Sequence, residues 1–285
     1  PVDARRACEL FASVTPAERA VFSDSWMASA EELAKGQAGK DAERRFVFYD
    51  VTSVSSYSEL IKQVARGYNR DGEALKQVNT GLFMDGTTGL PLYCTWYDGS
   101  VNDASSFRNV LKEAQERGLD KNVTVVGDGI FSDSKCVAFM AERGYTMIVG
   151  ISAERIAGVY GEISAWRREI NAAGCGDSFL NDDECDLSSR EVPFAIGEVR
   201  GRLIMYHDTV REGEEKTAAS RKYRKTLAEL KACGFTLTEP PCRYVRRLFD
   251  VVRNREAGTW TVSENREKLA DAMAQCGSFA LFTTL

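Results

Sequence analysis

The chain has 285 residues, 44% of them hydrophobic and 28% charged, and its net charge at pH 7 is −5. These proportions are those of an ordinary globular protein, and they exclude a disordered chain, a collagen and a disulfide-stabilised mini-protein. The length is sufficient for two domains. Apolar runs are only a few residues long, whereas a transmembrane helix needs about 20 apolar residues. No membrane segment is predicted.

The counts of histidine and cysteine restrict the chemistry further. The chain has one histidine, His207, and eight cysteines, none of which forms a C-x-x-C pair. These counts argue against a Cys/His zinc site. A nucleophile triad would have to use His207, which lies in a strand-like segment without a nucleophile elbow. The cysteines are interpreted as reduced thiols of a cytoplasmic protein.

Residues 1–45 have a helical pattern. Thr15 followed by Pro16 is a helix start signal, a cap followed by proline at the first helical position. The residues predicted to be buried here are Phe11, Val21, Phe22 and Trp26.

The period changes to that of β-strands in residues 46–152. Strands are predicted at 45–54, 78–85, 90–97, 123–128 and 145–150. One helix is predicted from a cap at Asn102 or Asp103 to Gly118, and another from a cap at Ser132 or Asp133 to Gly144. Residues 86–89 (GTTG) predict a tight hairpin turn between the second and third strands. The order β-β-β-α-β-α-β predicts an α/β fold with a mixed five-stranded sheet flanked by helices.

Residues 153–285 are less regular and are predicted to form a second, strand-rich module. Strand-like runs occur at 192–199, 202–210, 244–253 and 258–263, and helical runs at 217–233 and 264–276. Residues 174–186 are predicted to form an acidic loop. The expected organisation is therefore a helical segment (1–45), an α/β core (46–152) and a strand-rich domain (153–285).

Charge is unevenly distributed along the chain. Residues 46–199 carry 14 basic and 23 acidic side chains, whereas residues 200–256 carry 14 basic and 8 acidic ones. The basic residues of the second stretch cluster around tyrosines, which is compatible with contact to a nucleic-acid backbone and equally with a solvated helix face. The cluster residues are Arg221, Lys222, Arg224, Lys225, Arg243, Arg246 and Arg247.

Two aspartates stand out by their position in predicted strands. Asp50 lies within the first strand, where a buried carboxylate is costly unless a cation compensates it. Asp128 ends the fourth strand, and functional groups of open α/β sheets gather at the carboxyl ends of strands. If these strands are neighbours, the two carboxylates predict a site for Mg²⁺ or Mn²⁺, and a pair of such ions supports phosphoryl transfer. The alternative for Asp128 is a structural role as the cap of the following turn.

Several segments share motifs, in one order, with a known family. They are 49–53 (YDVTS), 67–72 (GYNRDG), 77–82 (QVNTGL), 89–92 (GLPL), 98–103 (DGSVND) and 125–132 (VVGDGIFS). Residues 46–152 thereby resemble the catalytic domain of DDE transposases of bacterial insertion sequences. The loop after Asp128 departs from the family's Asp-x-Gly-Phe/Met-x-Ser pattern because it is one residue shorter.

The resemblance implies a ribonuclease H-like fold with a β-rich insertion domain after the fifth strand. It implies that Asp50 and Asp128 are the first two catalytic acids, which hold two Mg²⁺ or Mn²⁺ ions. The implied partners are transposon-end and target DNA, bound by a homodimer in a bacterial cytoplasm at the nucleoid.

The third acid of the family is a glutamate in a helix with the pattern Tyr-x-x-Arg-x-x-x-Glu-x-x-x-x-x-x-Lys. Tyr244 has Arg247 at this spacing, but Val251 stands where the glutamate is required. We therefore expect the third acid beyond Leu285, in a longer protein of which this chain is a piece. Glu264 and Glu267 are the alternatives within the chain.

The family's insertion domain contacts DNA, including a base flipped out beside the cleavage site. Trp166, followed by Arg167 and Arg168, is the candidate for stacking on such a base, and a core tryptophan is the alternative. Other functions also remain open at this point. They are an inactive DNA-binding protein of the same fold, a ribonuclease H-like nuclease and, as an outside possibility, an enzyme acting on a small molecule.

Overall fold

A computed structural model describes residues 3–37, 44–67, 75–101, 103–129, 132–151, 156–173, 178–182 and 185–285. The helices are α1 (Ala4–Ser13), α2 (Pro16–Gln37), α3 (Asp103–Glu116), α4 (Ser134–Glu142), α5 (Val159–Ala173), α6 (Thr209–Ala232), α7 (Arg243–Leu248) and α8 (Arg266–Ala274). The first six strands are β1 (Arg45–Ser55), β2 (Ala65–Arg66), β3 (Lys76–Asp85), β4 (Pro91–Asp98), β5 (Val123–Gly127) and β6 (Thr146–Ile151). The others are β7 (Ser178–Asp182), β8 (Cys185–Ile196), β9 (Val199–Asp208), β10 (Thr236–Leu237), β11 (Phe249–Asn254), β12 (Thr259–Glu264) and β13 (Ser278–Thr283). Across these described ranges, none of the helices combines the length and the apolar character that crossing a bilayer requires.

The chain divides into two compact units. Unit 1 consists of residues 1–156, 193–203 and 281–285, and unit 2 consists of residues 157–192 and 204–280. The predicted boundary at residue 152 and the three-part division of the chain remain predictions.

The predicted mixed sheet is confirmed in unit 1. β1 pairs with β3 in antiparallel and with β5 in parallel orientation, β3 also pairs with β4, and β5 pairs in parallel with β6. The core order β4-β3-β1-β5-β6, with only β3 reversed, is that of the ribonuclease H-like fold. The short strand β2 adds to β3, and after β6 the Thr284 amide donates to the Met147 carbonyl at 3.2 Å. The predicted hairpin turn is also present, with the Gly89 amide donating to the Asp85 carbonyl.

Helices α3 and α4 pack on the same face of this sheet. The crossovers β4-α3-β5 and β5-α4-β6 move across the sheet in one direction, and right-handed crossovers then place both helices on one side. The ring of Phe107 on α3 lies 4.9 Å from that of Tyr49 on β1, which lies 4.6 Å from Phe83 on β3. Val110, Leu111 and Ala114 are buried as their helical spacing predicted.

The helical prediction for the N-terminal segment is correct, but the predicted buried face is wrong. Thr15 and Glu18 form a capping box, in which the Thr15 hydroxyl accepts from the Glu18 amide and the Glu18 carboxylate accepts from the Thr15 amide. The buried positions of α2 are Met27, Ala30, Glu31 and Ala34, an i, i+3, i+4, i+7 stripe. The four residues predicted to be buried lie outside this stripe and are exposed by 40–75%: Phe11, Val21, Phe22 and Trp26.

A buried ion network links α2 to the β1–β3 hairpin. Arg45 donates to Glu31 at 2.6 Å and also to Asp85, which is fully buried. Burial alone would raise the pKa of Asp85, but hydrogen bonds from Arg45 and Thr88 outweigh it and hold this pKa below its ordinary value. Burial alone would lower the pKa of Arg45, and the two carboxylates raise it. The network is therefore charged in the folded protein.

We predict that Arg45→Met destabilises the protein by about 3–5 kcal/mol, because it leaves two buried carboxylates without their cation. Urea unfolding monitored by circular dichroism measures the change. The matched control is Arg117→Met, which breaks the exposed ion pair with Asp24 and should cost about 1 kcal/mol or less. Equal losses in the two variants would contradict this account of the network.

Unit 2 combines helices with strands, and α6 and α8 correspond to the two helical runs predicted for residues 153–285. Helix α5 was not predicted, and residues 243–248 form α7 where the β-branched and aromatic residues suggested a strand. Strands β7 and β8 occupy much of the expected acidic loop. The order β10-β12-β11 forms a small antiparallel sheet. Its core contains Tyr223, Leu230, Val245, Leu248, Phe249 and Val262.

A second buried charged cluster lies in unit 2 around the single histidine. His207 is 3% exposed, and its Nε2 lies 3.1 Å from Oε2 of Glu212. The other oxygen of Glu212 accepts from Arg167 at 2.9 Å and pairs with Lys216 at 2.6 Å. Burial lowers the pKa of His207 and the Arg167 charge lowers it further, outweighing the opposite effects of Glu212 and Asp208. His207 is therefore neutral in the folded protein at pH 7.

We predict that the stabilising effect of neutral His207 is lost in mild acid. A folded-state pKa below the ordinary value near 6.5 means that the unfolded chain binds the proton first. The contribution is complete above pH 6.5 and disappears as the pH falls through the folded-state pKa. Thermal unfolding of the wild type and of His207→Gln between pH 7.5 and 5 should show a stability difference that narrows towards pH 5. A difference that is constant over this range would contradict the prediction.

Candidate functional site

Asp50 and Asp128 lie at the same level on neighbouring strands. In the parallel pair β1–β5, Tyr49 is in register with Gly127, and the two aspartates are the next residues of each chain segment. Neighbouring strands lie about 4.8 Å apart. Because side chains alternate along a strand, both carboxylates leave the face opposite to Tyr49, and both residues are exposed. The sheet therefore brings the two predicted acids together at the carboxyl end of β5.

Two glycines allow the backbone beside Asp128 to approach β6 closely. A Cβ atom added to Gly150 would lie 3.0 Å from the Gly129 nitrogen, and one added to Gly129 would lie 3.3 Å from the Gly150 oxygen. A larger side chain at either position would push the Asp128 segment away from the sheet. The glycine after Asp128 thus has a packing role in addition to the turn.

The face that carries the two acids is apolar and largely bare. Phe46, Phe48 and Met84 remain 38%, 42% and 37% exposed, although they lie in the middle strands of the sheet. Leu82, Val126 and Ile148 continue the same face and are half-buried. Central strands normally bury both faces, so this surface is the exception in unit 1.

The chemistry of the two acids fits a divalent cation. Oδ1 of Asp50 accepts from the Val51 amide, and Oδ1 of Asp128 accepts from the Gly129 amide. Carboxylate oxygens are hard ligands, and Mg²⁺ is commonly held by one or two carboxylates together with substrate phosphates and water. Within the described ranges, no group of three or more His, Cys, Asp or Glu side chains is arranged to hold a metal. Asp50 and Asp128 are thus two candidate ligands that the sheet brings close together.

The two alternative third acids lie in unit 2. Glu264, the last residue of β12, accepts from the Tyr223 hydroxyl at 3.3 Å. Glu267 lies in the first turn of α8, where its negative charge interacts favourably with the helix dipole. Both glutamates thus have structural roles within unit 2.

Residues 41–202, more than half of the chain, match the family described as "Transposase DDE domain". The chain belongs to this family. The matched range contains the whole sheet order β4-β3-β1-β5-β6 and the two candidate acids, Asp50 and Asp128. No curated protein matches the chain.

Solved structures similar to this chain include three transposase complexes. A piggyBac transposase synaptic complex with hairpin DNA is 14% identical, with a TM-score of 0.29, over 50% of this chain and 30% of that one. A Mos1 transposase paired-end complex with left transposon end is 13% identical, with a TM-score of 0.28, over 60% and 53%. A Mos1 mariner paired-end complex with Mn is 15% identical, with a TM-score of 0.28, over 46% and 42%. The chain thus covers between 30% and 53% of the length of these structures.

Most of the predicted DNA-binding residues are exposed on helices of unit 2. Arg221, Lys222, Arg224 and Lys225 lie on α6, and Arg243, Arg246 and Arg247 lie on α7. Lys222 lies 4.3 Å from the centre of the Tyr244 ring, so the basic and aromatic residues of this cluster do contact one another. Arg168 on α5 is also exposed. Their function in DNA binding stays a prediction.

Trp166 and Arg167 are corrected to structural residues. Trp166 is 1% exposed and Arg167 is 5% exposed, so neither presents a surface to a base or a phosphate. Both are buried residues of α5, and Arg167 pairs with Glu212. The core alternative for Trp166 is the correct one.

The sequence analysis did not single out Arg253 and Trp260, which belong to the same unit as the basic residues of α6 and α7. They lie directly opposite each other on the antiparallel strands β11 and β12. The signal available in the sequence was the hairpin itself, with a Gly258 turn between two strand-like runs. Folding the two runs against each other would have paired this arginine with the tryptophan.

We predict that substitutions on the two faces of the sheet differ strongly in cost. Phe83→Ala removes a fully buried ring and should destabilise the protein by about 3–5 kcal/mol. Phe48→Ala, on the bare face of the DDE domain, should cost about 1 kcal/mol or less. Urea unfolding of the two variants measures the difference. A Phe48 variant as unstable as the Phe83 variant would show that the acid-bearing face is covered in solution.

Proposed function

We propose that this chain is the catalytic part of a DNA transposase that carries out metal-dependent phosphoryl transfer. The observation that carries the proposal is the pairing of β1 with β5, which places Asp50 and Asp128 on one face at adjacent positions. Two carboxylates at the ends of parallel strands are a donor set suited to hard divalent cations. The family match supports the same activity.

Asp50 and Asp128 would hold Mg²⁺ or Mn²⁺, with two ions expected in the active complex. Such ions supply activation of an attacking oxygen and stabilisation of the leaving oxygen in an in-line displacement at phosphorus. The contribution of the chain is positional, because β1 and β5 fix the separation of the carboxylates and the Asp128 segment is held against Gly150. The proposed reactions are hydrolysis at transposon ends and transfer of the freed strand to target DNA.

The third carboxylate of the proposed site is not assigned to a residue of this chain. Glu264 and Glu267 belong to unit 2, where Glu264 bonds to Tyr223. The apolar surface around Phe46 and Phe48 is suited to a further covering element beside the two aspartates. We propose that the third acid is supplied by such an element.

DNA is the proposed partner, and the charge of unit 2 supports it. The exposed cations of α6 and α7 give this unit a basic surface in a chain whose net charge is negative. In this proposal Asp50 and Asp128 act at the reacting phosphate. The basic surface of α6 and α7 contacts the neighbouring DNA backbone.

The proposal predicts that Asp50→Asn and Asp128→Asn each reduce Mn²⁺-dependent DNA cleavage at least about 100-fold, because even outer-shell changes at metal sites cost 10–100-fold. Cleavage of a DNA carrying the transposon ends by the complete protein measures the rate. Binding of Mn²⁺ to this chain should weaken in parallel. The decrease of the electron paramagnetic resonance signal of free Mn²⁺ measures this binding. DNA affinity should stay within about twofold of the wild type because the altered residues contact the metal rather than the backbone phosphates.

Asp98→Asn is the matched control. Asp98 is also an exposed aspartate, at the carboxyl end of strand β4, and its substitution should leave cleavage and Mn²⁺ binding unchanged. Wild-type cleavage in either site variant would overturn the assignment of the two acids. DNA binding without any metal-dependent cleavage in the complete wild type would favour the alternative, an inactive DNA-binding protein of this fold.

A further inference from the structure

Two arginines of unit 2 converge on one tryptophan. The guanidinium carbon of Arg246, on α7, lies 5.5 Å from the centre of the Trp260 ring, and that of Arg253, on β11, lies 5.4 Å from the same point. Both distances are within the range of cation–π attraction. Both arginines are exposed, and Trp260 is half-buried. We call this group the Arg246–Trp260–Arg253 cluster.

The core of unit 2 fixes all three members of the cluster. Trp260 lies on the same face of β12 as Val262, two residues further along, which is 2% exposed. Arg253 is the register partner of Trp260 on β11. Arg246 lies on α7 between Val245 and Leu248, and the side chains of Val245 and Leu248 belong to the same core. The arginine heads are therefore held by regular elements rather than by loops.

The two arginines are also without carboxylate partners. Among the residues that the structure describes, neither Arg246 nor Arg253 forms an ion pair within 4.0 Å. Arg211 is the contrasting case in the same unit. It lies 5.1 Å from the centre of the Phe279 ring, but its charge is paired with Glu215 at 2.7 Å. Of these three arginines of unit 2, all have an aromatic contact, and among the described residues only Arg211 also has a carboxylate partner.

We propose that the Arg246–Trp260–Arg253 cluster binds consecutive phosphates of one DNA strand. A guanidinium carries its N–H donors in its own plane, the geometry that phosphate oxygens accept, and a cation–π contact leaves these donors unused. Since both carbons lie about 5.5 Å from one centroid, they are at most about 11 Å apart, whereas phosphates of one strand advance about 3.4 Å along the axis. At most about three such steps therefore separate the two guanidinium carbons, so both can reach phosphates of one strand.

Trp260 acts in this proposal as a positioning residue and not as a platform for a base. Trp260 is half-buried, and two guanidinium groups already lie within cation–π range of its ring, so we assign it to orienting the arginines. The binding is therefore independent of base sequence, as contacts to phosphate are. The inference rests on DNA being the partner of this protein, and it assigns the residues that bind the backbone.

The test is a salt titration of the affinity of the whole chain for a fluorescein-labelled 30-base-pair duplex of arbitrary sequence. Arg246→Gln and Arg253→Gln should each weaken binding about tenfold at 0.1 M salt. Each should lower the slope of log K against log salt by about 0.9, one released counterion. Trp260→Leu should weaken binding about fivefold with little change of slope, and Trp260→Phe should restore most of it because the ring is retained.

Arg211→Gln is the matched control, an arginine on an aromatic ring whose charge is already paired, and it should bind like the wild type. If the arginine variants keep the affinity and the slope of the wild type, the cluster is overturned while DNA binding stands. If the wild type itself binds no duplex, the proposed DNA partner fails. If the arginine variants lose affinity for only one duplex sequence and keep it for others, the cluster is also overturned as a DNA backbone site. A preference for duplex RNA over duplex DNA would overturn it as well. Circular dichroism melting confirms that each variant is folded.

Discussion

The parallel pairing of β1 with β5 is the constraint on which the candidate site depends. It fixes Tyr49 beside Gly127 and thereby places Asp50 and Asp128 at one level. A shift of the pairing by one residue would turn one carboxylate to the opposite face, where α3 and α4 pack. The apolar residues on the Tyr49 face prevent such a shift, because Val47, Tyr49 and Val125 would then be exposed. The hydrophobic core thus determines the geometry of two residues that are not part of it.

The ion network of Arg45 constrains the same sheet at the beginning of β1. Arg45 begins β1 and Asp85 ends β3, so their bond fixes the register of these two strands at the end away from Asp50. Glu31 extends the bond to α2. An apolar cluster of equal volume could stabilise the fold as well, but a directional bond between β1 and β3 also selects one pairing. The charged solution is therefore explained by specificity more readily than by stability.

The sequence predicted the sheet well and the placement of side chains unevenly. The strands and helices between residues 45 and 151 follow a clear period with caps at Asp133 and Gly144, so local patterns were sufficient. The buried face of α2 was wrong because Phe22 and Trp26 are large and apolar, and size does not show which helical phase meets the sheet. Asp85 directly precedes the predicted turn and accepts from its Thr88 amide, but its second oxygen binds Arg45, 40 positions away. Neither the phase nor this long-range bond leaves a local signal.

The arginines of this protein show how one side chain takes different functions in different surroundings. Arg45 lies between two buried carboxylates and is unavailable to any ligand. Arg167 is also buried, and its bond to Glu212 converts a residue predicted to meet DNA into part of a core. Arg211 is exposed but neutralised by Glu215. Arg246 and Arg253 have the same type of aromatic contact as Arg211 and lack its acid. A count of basic residues along the chain does not separate these five arginines. Their availability to a phosphate depends on whether a carboxylate lies beside each guanidinium.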